Sequence, residues 1–511
     1  MKHPMQHRMT RAVRTCALTF CLAILSAGLA FTQTPTSDAN PETVPSASHV
    51  TYVYVGTASG VYLYDAASNG KLTLVSGSPF PITGSAIGSN RKYFISLDPT
   101  YVHSYPVKSN GAIGPQASEV NTQNYAVGDN CQTTTGADID HTGQELYVQL
   151  AGASSGSVHF CNLLQSFQVS GNSGSFTFLG STPNGGFTEP DVPASAFTIT
   201  SNDAHAYDLT PIDLTCYRQR EAFHRDSSGA LDSISFTETD PTPEPGWNYI
   251  HLRSEAQDPN NHLADAVATT TGETCGPFGS AQLVSYTVDT EGNVTSTNTW
   301  QNAPTPLVYP TLLNMSPSGK LLAVGGNTGI CCDTSNTLGL NGLQVFHFNG
   351  AGPITPYSKR LTTAPIDQIH WDNNDHLYAI SGSAKKLYVY TVTPTSITTA
   401  PGSPYTIASG PNALVVVSIP CSAPASAGVN ICAPASGSTV GSPVLVEASA
   451  TVTGTIASMQ LWVDGVKKYT VSSSKTLDTS VSLSAGTHRF TVIAINTAGK
   501  TWEKAVNALV K

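Results

Sequence analysis

An alternating segment that ends near an aromatic residue recurs seven times, as Val61-Tyr-Leu-Tyr64, His103-Ser-Tyr105, Gln165-Ser-Phe167, Glu221-Ala-Phe223, Val284-Ser-Tyr286, Gln344-Val-Phe346 and Tyr388-Val-Tyr390. Each has the period-two pattern of a half-buried strand. Most are followed by a Gly-containing hairpin, as in Asn69-Gly-Lys-Leu72, Asn110-Gly-Ala-Ile113, Ser173-Gly-Ser-Phe176, Ser228-Gly-Ala-Leu231 and Glu291-Gly-Asn-Val294. Glycine there supplies backbone angles that a tight turn requires. A polar turn and a hydrophobic strand precede each aromatic segment, as in Ser316-Pro-Ser-Gly-Lys-Leu-Leu322 and Asp372-Asn-Asn-Asp-His-Leu-Tyr378. A spacing of roughly 53 to 60 residues is that of a four-stranded propeller blade somewhat longer than the WD type.

Counting strands a to d within each unit fixes the architecture. Blades two to seven each have all four, but the first unit starts at strand b, with 51–57. The strand left over lies at the other end, within Ser409-Gly-Pro-Asn-Ala-Leu-Val-Val-Val-Ser418. Pairing the two ends would close the ring and hide edges that otherwise invite aggregation. The expectation is an all-β chain: a seven-bladed β-propeller over 49–418, closed by its N- and C-terminal strands, followed by a small Ig-like β-sandwich.

Blades with a Ser-Pro-Ser-Gly-Lys-type turn, a Tyr-Val-type strand b, a Val-x-x-Tyr-like strand c and a Gly-x-Leu turn resemble the lactonase-like seven-bladed propeller family, which includes phosphogluconolactonases and carboxymuconate cyclases. The resemblance covers about 49–418 and implies the fold more directly than a reaction, because propellers host many functions. Lactone-acting members open one blade with a Gly-Pro-Arg-His stretch. Here Asn248-Tyr-Ile-His251 stands in that place and matches at the histidine.

Beyond 419–432, read as a linker stapled by a Cys421–Cys432 bridge, the composition turns to Val/Thr/Ser alternation with few aromatics. Five short strands are predicted over 442–450, 458–463, 466–472, 479–484 and 488–496. Ser436-Gly-Ser-Thr-Val-Gly-Ser-Pro-Val444 and Leu461-Trp-Val-Asp-Gly465 make 433–511 similar to the Ig-like modules appended to bacterial exported proteins.

The N-terminus reads as a secretory signal over 1–30. Lys2, Arg8, Arg11 and Arg14 precede a short apolar run, and Gly28-Leu29-Ala30 offers small residues for cleavage. A Pro/Ser/Thr-rich flexible linker follows over 31–48. Charged residues make up 11% of the chain, against about 25% in ordinary soluble proteins. Removing the signal takes the formal charge from -10 to about -14, which disfavours nucleic acid and anionic membrane as partners. Cys16 and Cys21 leave with the signal. The even set of Cys131, Cys161, Cys216, Cys275, Cys331, Cys332, Cys421 and Cys432 fits disulfides in an extracytoplasmic protein, whether secreted, periplasmic or at the cell surface.

Six of those cysteines fall in loops of one propeller face, with Cys131–Cys161 and Cys216–Cys275 the preferred pairs. Cys331 and Cys332 could form a vicinal bridge or pair elsewhere. Long stapled loops on a rigid scaffold suggest a recognition face, so the leading expectation is an exported binding or scaffold protein whose partner is a small molecule, glycan or protein. The alternative is a lactonase-like hydrolase or cyclase acting in the channel. In strand a of blade five, Ile250-His-Leu-Arg-Ser-Glu255 sets His251, Arg253 and Glu255 on one side by period-two geometry. The histidine could act as acid or base, the guanidinium could hold an oxyanion, and the carboxylate could orient both. The same trio could serve as an internal ion-pair network. Asp138, Asp140, Asp367 and His370 are the other polar channel-lining candidates. Arg218, Arg220, Glu221, His224 and Arg225 crowd strand c of blade four and read as interblade ion pairs or a solvated edge. No cofactor and no metal are expected, since the chain has no paired Cys-x-x-Cys, Gly-rich phosphate loop or His-Glu-x-x-His motif.

Overall fold

The computed structural model describes residues 49–510 except 68, 85, 109, 127–132, 154–159, 184–196, 212–217, 271–277, 329–338, 394, 435, 438 and 441–443. Apart from one 3-10 turn at Thr122–Tyr125, every regular element described is a strand. No helix among the described residues is long and apolar enough to cross a membrane.

Among the described residues, seven sheets precede the C-terminal module, six built on four successive antiparallel strands and the first completed by a strand from later in the chain. In the first, His49–Thr57 pairs antiparallel with Pro411–Pro420, with Thr51 opposite Ser418 and Val55 opposite Leu414. Both strands run beyond the segments expected from hydrophobicity. The inner strands of successive sheets lie side by side, and Pro411–Pro420 contacts the inner strands Gln368–Trp371 of blade seven and Ala86–Ser89 of blade two. Apolar faces of neighbouring blades form shared cores, such as that of Val53, Val55, Tyr378, Val389 and Leu414.

One polar contact recurs at these seams. Tyr54, Tyr147 and Tyr207, all on second strands and all buried, donate their hydroxyls to the carbonyls of Gly111, Gly229 and Gly292, at 2.8, 3.2 and 2.9 Å. Each acceptor lies in the third-to-fourth-strand hairpin of the following blade. Ser104 does the same from a third strand, reaching the Gly174 carbonyl at 2.7 Å. The glycines noted in the sequence therefore do more than turn the chain: they bring a carbonyl against the preceding blade's buried tyrosines.

The C-terminal module is a sandwich of a three-stranded and a five-stranded sheet around Val446, Ala448, Met459, Leu461, Phe490 and Val492. Its first strand, Gly428–Ala433, lies in the stretch expected to be linker and pairs with Val444–Thr451. The reason is visible in its alternation, which buries Val429, Ile431 and Ala433. The final strand Thr501–Val510, absent from the sequence expectation, pairs along Gly486–Asn496. Cys421 and Cys432 are disulfide-bonded. Among the other cysteines, Cys131, Cys216, Cys275, Cys331 and Cys332 lie outside the described residues. Cys161 is described only as backbone, opposite Gly152.

Gly111 has φ +76°, and a Cβ there would sit 2.6 Å from the Tyr52 ring. Gly111→Ala is expected to destabilise the propeller by about 1–3 kcal/mol through backbone strain and overpacking, measured as a lowered urea midpoint at unchanged slope. A shift below about 0.5 kcal/mol would show that the seam tolerates the added methyl group.

Candidate functional site

Strand Asn248–Gln257 of blade five carries the candidate histidine and carboxylate, but its ladder is irregular. His251 stands opposite Val267 and Glu255 opposite Asp265, so residues 252–254 share one opposite residue, Ala266. The ladder is bulged at this point. Arg253 is described only as backbone. The bulge lets His251 and Glu255 both approach Asp265, the middle of Leu263-Ala-Asp-Ala-Val267 on the adjoining strand.

The guanidinium at this site comes from blade four. Arg220, on strand Arg218–Arg225, is wholly buried, with Nε 2.8 Å from Glu255 Oε2 and Nη2 2.9 Å from Asp265 Oδ2. Its Nη1 meets Glu238, so this nitrogen and the Glu238 oxygen have each other as ion-pair partner despite lacking regular hydrogen-bond geometry. The plane of Arg220 lies over the Tyr286 ring at 4.5 Å, a cation–π contact. Glu255 and the Glu238 and Tyr286 contacts tie blade four to blade five. The expected interblade ion pair thus applies to Arg220, and the solvated edge does not.

His251 completes the cluster. It is 8% exposed, and its Nδ1 lies 2.6 Å from Asp265 Oδ2. Its Nε2 points to Glu238 Oε1 at 3.5 Å and Asp240 Oδ1 at 3.9 Å. Asp240 is the wet end, with a side chain 49% exposed, and accepts a hydrogen bond from the Tyr286 hydroxyl at 3.0 Å. Glu238 is presented by Glu238–Thr239, which pairs in parallel with Val294–Thr295 at the outer side of blade five. The site is therefore a seam that opens through the segment joining blades four and five.

Four carboxylates, Glu238, Asp240, Glu255 and Asp265, gather around one guanidinium. Burial raises the Glu255 carboxyl, and Arg220 only partly opposes that rise, because it is shared with Asp265 and Glu238. For Arg220 itself burial works against charge, yet Glu255, Tyr286 and Asp265 together hold it protonated. These two directions agree if a single cation cannot balance every acid around it.

The remaining candidates are elsewhere. Asp138, on the inner strand of blade three, is exposed, yet desolvation pushes its carboxyl up to about 6. His370, half-buried on the inner strand of blade seven, is pushed down to about 4 by the same cause. Asp140 is buried and braces a turn, accepting from the backbone of Gln144 and Glu145 at 2.8 and 2.9 Å. Asp367 accepts from Asn327 at 3.1 Å and from the Gly382 backbone at 2.6 Å. None of these four residues is joined to the His251 cluster by any described contact. The loop face itself falls on undescribed residues.

Residues 428–492 match the bacterial Ig domain family. The C-terminal module is a bacterial Ig domain. No curated protein matches the chain. Among solved structures, a protein from Lactobacillus plantarum has a TM-score of 0.50 at 13% identity, over 72% of this chain and 100% of that one. The periplasmic gluconolactonase of Pseudomonas aeruginosa has a TM-score of 0.45 at 13% identity, over 73% and 100%. The likeness to the Lactobacillus plantarum protein is one of fold.

Removing the shared cation tests the seam. Arg220→Met leaves buried carboxylates without their partner and is expected to cost about 3–5 kcal/mol, measured by urea denaturation. A loss under about 1 kcal/mol would contradict an Arg220 tie between the blades.

Proposed function

We propose that this protein is a hydrolase of uncharged lactones, acting at the mouth of the seam between blades four and five. The observation that carries the reading is His251, with Nδ1 held at 2.6 Å by buried Asp265 and Nε2 turned toward the solvent-exposed Asp240. A carboxylate on Nδ1 fixes the tautomer that leaves Nε2 free to accept a proton, and it stabilises the imidazolium that forms. Water attacks the lactone carbonyl as Nε2 takes its proton. The ring C–O bond then breaks, and the imidazolium returns the proton to the departing alkoxide, giving a hydroxy acid.

The resemblance of the blade repeats to lactonase-like propellers supports the substrate class. Charge narrows it: four carboxylates around one guanidinium repel anions, which favours a neutral lactone over a phosphorylated one. Arg220, with its partners already in place, holds Asp265 and Glu255 and so positions the histidine rather than receiving substrate. The reading includes an extracytoplasmic location, supported by the Cys421–Cys432 bridge and the signal-like N-terminal sequence.

The test is the opening of neutral δ-lactones, followed by base uptake at constant pH above the spontaneous rate. His251→Ala is expected to lower kcat by about 10²–10⁴-fold in protein that still unfolds in one cooperative urea transition. Wild-type protein that opens no lactone, or a folded His251→Ala variant with parental turnover, would end this assignment.

A further inference from the structure

We propose that Glu238, Asp240 and His251 form a binding site for a divalent first-row transition cation, with Zn²⁺ as the probe. The three donor atoms all lie within 4.8 Å of one another, and the histidine nitrogen is 3.5 and 3.9 Å from the two carboxylate oxygens. Donors around a tetrahedral zinc ion, each at 2.0–2.1 Å, stand about 3.3 Å apart. The set would close around an ion by drawing in from separations of up to 4.8 Å, side-chain shifts of about an ångström.

The histidine itself points to a ligand. His251 is more than nine-tenths buried, and its Nε2 has no hydrogen bond among the described residues while facing two carboxylates. Its Nδ1 is bonded to Asp265, the carboxylate–histidine arrangement that fixes the tautomer and orientation of a metal-binding imidazole. The Asp240 oxygen that faces the histidine also accepts from the Tyr286 hydroxyl, which fixes its position, and Glu238 is carried on a paired strand rather than a free loop.

Charge supplies a separate reason. Glu255 Oε1 and Asp265 Oδ1 are buried without a hydrogen-bond partner, beside a guanidinium outnumbered four to one by carboxylates. A dication at the mouth offsets that surplus, as bound cations do where acids converge. One imidazole and two carboxylates suit zinc or manganese better than calcium, which takes oxygen ligands. Three protein ligands leave a coordination position open for water, the arrangement of catalytic rather than structural zinc.

This inference concerns binding and stands apart from the lactone proposal. A cation on Nε2 would make His251 a ligand instead of a proton acceptor, and His251→Ala would abolish turnover in either role. The two are separated by measuring binding without substrate. Full-length mature protein without a histidine tag is stripped with chelator and titrated with ZnCl₂ by calorimetry. One site is expected, with a Kd below about 10 μM and at least a tenfold weakening in His251→Ala and in Asp240→Asn. His488→Ala, at the surface pair with Asp464 in the Ig domain, is expected to bind as the parent does.

Asp240 is half-exposed, so Asp240→Asn keeps the test valid if His251→Ala fails to fold. No saturable uptake by the parent, or equal uptake by Asp240→Asn, overturns the cation site. If uptake is absent but lactone opening still depends on His251, the cation site falls and the hydrolase stands. If uptake is specific and no lactone is opened, the cation site stands and the hydrolase falls.

Discussion

A buried hydroxyl from one blade bonded to a glycine carbonyl in the next is the contact on which this ring depends. Hydrophobic faces alone would let neighbouring sheets slide, because apolar burial has no direction. The bonds from Tyr54, Tyr147 and Tyr207 to Gly111, Gly229 and Gly292 add direction and fix the relative heights of the blades they join. The pairing of His49–Thr57 with Pro411–Pro420 adds a backbone ladder between the chain's two ends. With the blades so registered, side chains on different sheets can be set within a few tenths of an ångström, which is what chemistry at a seam requires.

The seam between blades four and five has that same bond and adds charge. Burying Arg220 with Glu255 and Asp265 costs desolvation that hydrophobic residues would avoid, so stability alone gives little reason for it. Its effect is positional. Arg220 holds Asp265, Asp265 holds His251, and the bulge at 252–254 brings histidine and glutamate to the same aspartate. Glu238 and Asp240 then meet the free face of the imidazole from the connecting segment. The outcome is a polar cluster rigid at its base and open to water at Asp240.

Much of the fold could be read from the chain because it rests on periodic signals. The aromatic alternation marks each third strand, and the unpaired apolar segment at 409–418 points to a partner at the N-terminus. The sandwich was read less well: Gly428–Ala433 is too short, and too close to the cysteines, to stand out from a linker. The site was only partly legible. His251 and Glu255 stand out as charge in a poorly charged chain, and the side chain of Arg253, chosen with them by alternation, lies outside the described residues. Arg220 was assigned to ion pairing without its partners, since contacts between blades leave no spacing in sequence. Asp265 had a usable signal, a single charge in the apolar core of a strand, which is costly unless paired. Glu238 and Asp240 had none, being acids in a polar connecting segment.

The position of a bound ligand tests the seam most directly as the reactive centre. A crystal structure with a δ-lactam, which mimics the lactone ring and resists opening, is expected to place the lactam carbonyl beside His251 Nε2, between Glu238 and Asp240. A lactam seated instead in the central channel against Asp138 or His370, with the seam mouth free of it, would contradict that assignment.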